Sequence, residues 1–250
     1  MERRSRKLVL GHLAALAMLL AAVPTMAFSH YHTSGGDPVR WGRAHVEVAL
    51  DGSLARIGDP GEVREQLADA FAVWIDDAAL PIEVALVEES CRREVDGINC
   101  VSVSSAPPPG AGVDATTYVS YSDSTGEIAE ADIVFYELAG PWDGGDPGPS
   151  LDLFAVAAHE AGHAIGLGHS EVADARMYPT VPLGGEWDGV LDDDDVAGAS
   201  ALYQGVGFDR KGWVGACSVG GAPGRSGSPA AALLALAAIA VATLFRRRRT

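Results

Sequence analysis

His159-Glu160-Ala161-Gly162-His163-Ala164-Ile165-Gly166-Leu167-Gly168-His169-Ser170 is the stretch on which the reading of this 250-residue chain turns. His159 and His163 stand four residues apart, which on a helix puts two imidazoles on one face, close enough to bind one zinc ion. Glu160 is too short to reach an ion that its neighbours hold, and is placed to take a proton from a water that the ion activates. This HExxH pattern alone is weak, since three specified residues arise by chance in roughly 3% of chains this long. Gly166, three residues after His163, can adopt a left-handed conformation that ends the helix and turns the chain back. His169 is then placed as a third ligand, and the two further matches cut the chance expectation by about another 400-fold. Three neutral imidazoles leave the ion's charge intact and one coordination position open, which suits acidifying water and polarising a carbonyl.

Outward from the motif, the pattern predicts a helix from Leu151 to about Ile165, after a Gly/Pro/Asp loop at Pro141 to Pro149 and with Ser150 or Asp152 as cap. Upstream, Ala44 to Leu50 alternates as a half-buried strand, and Asp59-Pro60-Gly61 starts a helix running from Glu62 to Ala79 until Pro81 stops it. Ile82 to Val87 and Asn99 to Ser104 read as strands. Thr116 to Ser122 and Ile128 to Tyr136 read as two more, joined by a tight turn at Asp123-Ser124-Thr125-Gly126. Downstream, Val196, Ala199, Ser200 and Tyr203 mark a last helix. Asp192 to Asp195 stand at its start, where they are expected to serve as cap and solvated surface rather than as a metal site. No internal repeat is visible.

The length allows one principal domain plus appendages. Of the 18 Lys and Arg, Arg3, Arg4, Arg6 and Lys7 open the chain and Arg246 to Arg249 nearly close it. Without those eight and Glu2, ten bases face 33 acids, a net charge of −23 that excludes nucleic acid as a partner. Gly and Pro together make up roughly a sixth of the chain, which suits a loop-rich globular domain rather than a low-complexity polymer.

The basic start, the apolar run from Leu8 to Val23 and the small residues Thr25 and Ala27 read as a cleaved export signal over residues 1–27, with a retained anchor as the alternative. Residues 206–229 form a Gly/Ser/Pro linker containing Gly215-Ala216-Cys217-Ser218-Val219-Gly220-Gly221. The run Ala230 to Phe245, apolar residues and one Thr, reads as a short transmembrane segment, about 24 Å long if helical. Residues 246–250 are then a basic cytoplasmic end. This order resembles the MYXO-CTERM sorting tails of myxobacteria and their relatives. It implies processing near Cys217 and surface attachment; a permanent tail anchor is the alternative. Cys91 and Cys100 flank a polar loop and would be bridged in an oxidising compartment, or else remain two buried thiols.

The full His159–His169 string is the metzincin signature, and its surroundings resemble the matrixin branch, the family of the matrix metalloproteases. Phe154 to Ala158 precede the first ligand, Ser170 follows the third, and Met177-Tyr178-Pro179 resembles the matrixin Met-turn. Leu191 to Gly198 with Leu202-Tyr203 is similar to the family's final helix, and Ala70 to Trp74 and Ala131 to Phe135 to its first helix and its sheet. The likeness spans about Trp41 to Tyr203, within a catalytic domain over residues 28–205. It implies an α+β metzincin fold, a twisted mixed five-stranded sheet with three helices.

The resemblance implies further that His159, His163 and His169 bind one catalytic zinc ion, that Glu160 is the general base which passes its proton to the leaving amine, and that Met177 is an apolar floor. It implies an exported, surface-anchored zinc-dependent metalloendopeptidase, extracellular or at the cell surface, acting as a monomer on protein or peptide substrates and held to the membrane through its tail. The competing reading is a non-catalytic, zinc-stabilised surface binding module of the same fold; loss of the Glu would be its cheapest sign, and Glu160 is present. Another metzincin branch would carry Tyr two places beyond the Met, where this chain has Pro179. Calcium on the acidic surface is compatible with the family, although no loop spells a calcium motif.

Departures from the family also carry expectations. The stretch from Ala27 to the first strand has no Cys, so latency by a cysteine switch is not expected. Between His45 and His159 there is no His, so the second, structural zinc site of vertebrate-type matrixins is missing. His30 and His32 are expected in a solvated N-terminus rather than on a metal. In the pocket beyond the Met-turn, Val181 stands where the family has Tyr, and Pro182 to Val190 offers Trp187 as its one large apolar group. A wide pocket that accepts bulky apolar residues and rejects acidic ones is expected, unless Trp187 packs into the core.

Overall fold

The computed structural model describes residues 27–110, 112–142, 150–181 and 187–206. The expected export segment, Cys217 and the sorting tail lie outside the described residues, as does most of the Pro182–Val190 loop.

Asp59 accepts from the N–H groups of Gly61 and Glu62, and Pro60 occupies the first turn, which together start α1 (Pro60–Asp77). Its apolar stripe buries Val63, Leu67, Ala70, Phe71 and Trp74. The helix ends at Asp77, before Pro81 can act as the stop. Ala79 turns the chain with φ +48°, and this lets Leu80 and Ile82 reach the core.

The strands are β1 (His45–Leu50), β2 (Glu83–Glu88), β3 (Asn99–Ser104), β4 (Ala115–Tyr121) and β5 (Ile128–Tyr136), in the sheet order β2-β1-β3-β5-β4. β1 runs parallel to β2 and β3, β3 runs parallel to β5, and β4 returns antiparallel at the edge. The β4–β5 turn closes when Thr125 and Gly126 donate their N–H groups to Ser122 O. α2 (Leu153–Ala164) and α3 (Asp193–Tyr203) complete three helices, so the fold is the α+β mixed sheet that the sequence led us to expect. α1 and α2 pack together, and Trp74 Nε1 donates to Ala158 O at 2.8 Å. Among the described residues no helix is long and apolar enough to cross a membrane.

Cys91 and Cys100 form a disulfide. The loop it closes lies against β5, where Glu130 and Asp132, two residues apart and thus on one face, are both buried. Asp96 and Gly97 donate their N–H groups to Glu130 Oε2, and Cys100 donates to Asp132 Oδ1. Burial pushes the Asp132 pKa up to about 6, opposed by the Cys100 N–H and reinforced by the nearby Glu130 and Asp96 charges. A raised carboxyl pKa means that the fold prefers protonated Asp132. This stabilisation is complete below the unfolded pKa and is lost as pH rises through about 6. The stability of the wild type relative to Asp132→Asn, followed by urea unfolding, should therefore rise by about 1 kcal/mol from pH 7.5 to 4.5, allowing for solvent screening. A difference that does not change with pH would contradict this.

Candidate active site

Every residue of α2 except Phe154 is buried, so His159, Glu160 and His163 are polar groups inside the protein that need partners. Asp152 caps the helix through Ala155 N at 2.9 Å. At the other end, Trp41 Nε1 donates to Ala164 O and Tyr203 Oη to Ile165 O, which satisfies carbonyls that a helix end leaves unpaired. At Gly162 a Cβ would lie 2.3 Å from Met177 Sδ and 2.9 Å from Trp74, so only glycine lets both pack so close.

Beyond α2, Gly166 takes φ +107°, and Gly166 N and Leu167 N donate to His163 O and Gly162 O, the two bonds of a Schellman turn. The chain thereby folds back and delivers His169. The segment at 27–33 holds this return in place. Tyr31 N donates to Gly166 O, Gly168 N to Ser29 O, and Ser29 Oγ to His169 O at 2.6 Å. The expectation of a solvated N-terminal segment is corrected for His30, which stacks on Phe28 and bonds Gly198 O because small residues at Gly168 and Gly198 leave room for the arm to dock, while His32 is exposed as expected.

The ligand atoms of His159, His163 and His169 lie within 4.8 Å of one another. His159 Nδ1 is 2.7 Å from Arg176 O, and His163 Nδ1 is 2.9 Å from Leu167 O and 3.0 Å from Tyr31 Oη. Carbonyls can only accept, so both Nδ1 atoms carry the proton and each Nε2 keeps its lone pair. Burial first, then the neighbouring imidazoles, holds His159 down to about 3. Burial likewise lowers His163 to about 4, and it lowers the more exposed His169. Three neutral nitrogens, two of them oriented by backbone carbonyls, are a donor set that fits zinc. Glu160, next to His159 on α2, is buried, and burial pushes its pKa up to about 7. Hydrogen bonds from Thr117 oppose that rise.

Met177 is buried beside Gly162 and donates its N–H to Asp195 Oδ1. Asp195 also accepts from Arg176 N at 2.5 Å and from Asp192 N, while Asp194 accepts from Ser170 Oγ and Ala27 N. The acidic run does cap α3, Asp192 and Asp195 forming a reciprocal capping box. Its expected role as solvated surface is corrected, since Asp194 and Asp195 are buried where they fasten the Met-turn and the segment after His169. Trp187, half-buried, packs on Phe154, against the Arg176 guanidinium and against the hydrophobic core, the alternative that the sequence left open for it.

The structure therefore brings together the three histidines that the motif singled out, and buries Glu160 beside His159 on the same helix. The sequence reading missed Thr117, Tyr31, Arg176 and the inward role of Asp194 and Asp195. Only the last carried a local signal, as a helix cap.

A family model described as Matrixin matches residues 40–204. Human Matrix metalloproteinase-16 is 30% identical over an alignment of 172 residues that covers 66% of this chain and 27% of that protein. The Hatching enzyme of Paracentrotus lividus is 29% identical over 170 residues, 66% of this chain and 26% of that protein. Metalloendoproteinase 4-MMP of Arabidopsis thaliana is 51% identical over 55 residues, 22% of this chain and 16% of its own. The chain thus spans about a quarter of the length of the first two relatives.

Proposed function

The chain belongs to the matrixin family, and from that membership we propose that it is a zinc-dependent endopeptidase, exported and held at the cell surface by its C-terminal tail. The observation that carries this reading is the convergence of three neutral imidazoles beside a buried carboxyl on one helix and its return turn. His159, His163 and His169 would hold the zinc, which supplies Lewis acidity toward a peptide carbonyl and a water molecule.

Glu160 takes the proton of the attacking water and passes it to the leaving amine, a task suited to a carboxyl with a pKa near neutrality. β4 is an edge strand packed beside α2, and an extended peptide can add to such an edge through main-chain hydrogen bonds. Met177 closes the site from below. Main-chain pairing along a strand engages a peptide through its middle, which is why an internal bond is the proposed target.

A chain truncated after Gly215 should be released into the medium and cleave internal bonds of a peptide mixture. Chelation should abolish the cleavage and added zinc should restore it. An exported, folded but inert product with stoichiometric zinc would favour the binding module. Activity indifferent to chelation would remove the zinc mechanism.

A further inference from the structure

We infer that Thr117 is a positioning residue for Glu160, holding its carboxylate by one oxygen so that the other is presented to the reacting water. The inference rests on the proposed role of Glu160 as base. Thr117 lies in the middle of β4, opposite Ile133 of β5, and its side chain projects onto α2. Its Oγ1 donates to Glu160 Oε2 at 2.5 Å and lies 3.1 Å from Glu160 O, so the one hydroxyl proton goes to the carboxylate at the tip of the side chain. Among the described residues, no other side chain hydrogen-bonds that carboxylate.

The need for such a grip follows from the side chain itself. A glutamate has three rotatable bonds, and a base that wanders among rotamers spends little time aimed at its proton. Thr is β-branched and stiff about χ1, and here the strand ladder fixes its backbone. The hydroxyl therefore reaches the helix from a nearly rigid support. Oε2 is occupied by this bond, which leaves Oε1 to accept the proton from water and return it to the amine nitrogen as the C–N bond breaks.

If Thr117 were present only for its strand preference, Val would serve as well, being β-branched and of similar size. The full chain carrying Thr117→Val, Thr117→Ala or Thr117→Ser separates the two roles, with kcat expressed per zinc-loaded chain. Both hydroxyl-free variants should lose about tenfold in kcat while KM stays within about twofold. Thr117→Ser should recover kcat to within about threefold of wild type. Crystal structures, with and without zinc, should show Glu160 spread over more than one rotamer in Thr117→Val and confined to one in Thr117→Ser.

Wild-type kcat in either hydroxyl-free variant, a single Glu160 rotamer in Thr117→Val, or a Ser variant as slow as the Val variant overturns the assignment. If Glu160→Gln is inactive while Thr117→Val is unimpaired, the base reading stands and the positioning role falls. A fully active Glu160→Gln overturns the reading beneath both.

Discussion

Glu160→Ala is expected to lower kcat/KM for peptide hydrolysis by roughly a thousandfold, the mid-range contribution of a positioned acid–base group. Zinc should stay at one ion per chain, because the three imidazoles and their carbonyl partners are untouched. The fold should also hold. In the zinc-free protein burial is the largest influence on Glu160 and raises its pKa, so the ionised side chain costs the apo fold stability, in full above about pH 7, and Ala removes that cost. Loss of activity without loss of zinc or of melting temperature is the signature of a base. A variant with near-normal turnover, host proteases excluded, would sink the mechanism.

Gly166→Ala should cost about 3 kcal/mol or more, enough to disorder the return turn. Two penalties add. The residue sits at φ +107°, where any Cβ is strained, and that Cβ would lie 2.2 Å from Val39 O, a backbone atom. Gly36 separates the two effects, since it has φ +89° but open space around it, so Gly36→Ala should cost only about 1 kcal/mol. His169 is delivered by this turn, so zinc affinity should fall together with stability. Urea unfolding with and without zinc measures both; a Gly166→Ala protein as stable as Gly36→Ala would show that Val39 yields easily.

What could be read in advance was local. Two imidazoles at four-residue spacing, a glycine placed to reverse the chain and a third imidazole three residues on are relations within about a dozen positions. Backbone geometry converts them into a shared site with little help from the rest of the molecule. The alternation of β1, the α1 stripe, the α2 cap at Ser150 or Asp152 and the acidic start of α3 at Asp192 to Asp195 are equally local, and they were legible for the same reason. The end of α1 was not. Pro81 is a strong stop signal, yet burial of Leu80 and Ile82 turned the chain earlier.

The supports of the site could be seen only in the tertiary structure. Thr117 is 43 residues from Glu160, and Tyr31 is 132 from His163. A threonine in a strand reads as β-propensity, and a tyrosine in an arm as nothing in particular. Asp195 shows the division within one residue. Its bond to Asp192 N is a helix cap, visible as a pattern, while its bonds to Arg176 N and Met177 N depend on where α3 packs. A motif placed by helical period and turn geometry is specified by its own residue types. A hydrogen bond across the core is specified by the packing of two elements, and any residue with a donor at that spot would serve, so its identity leaves no mark in the chain until the fold is known.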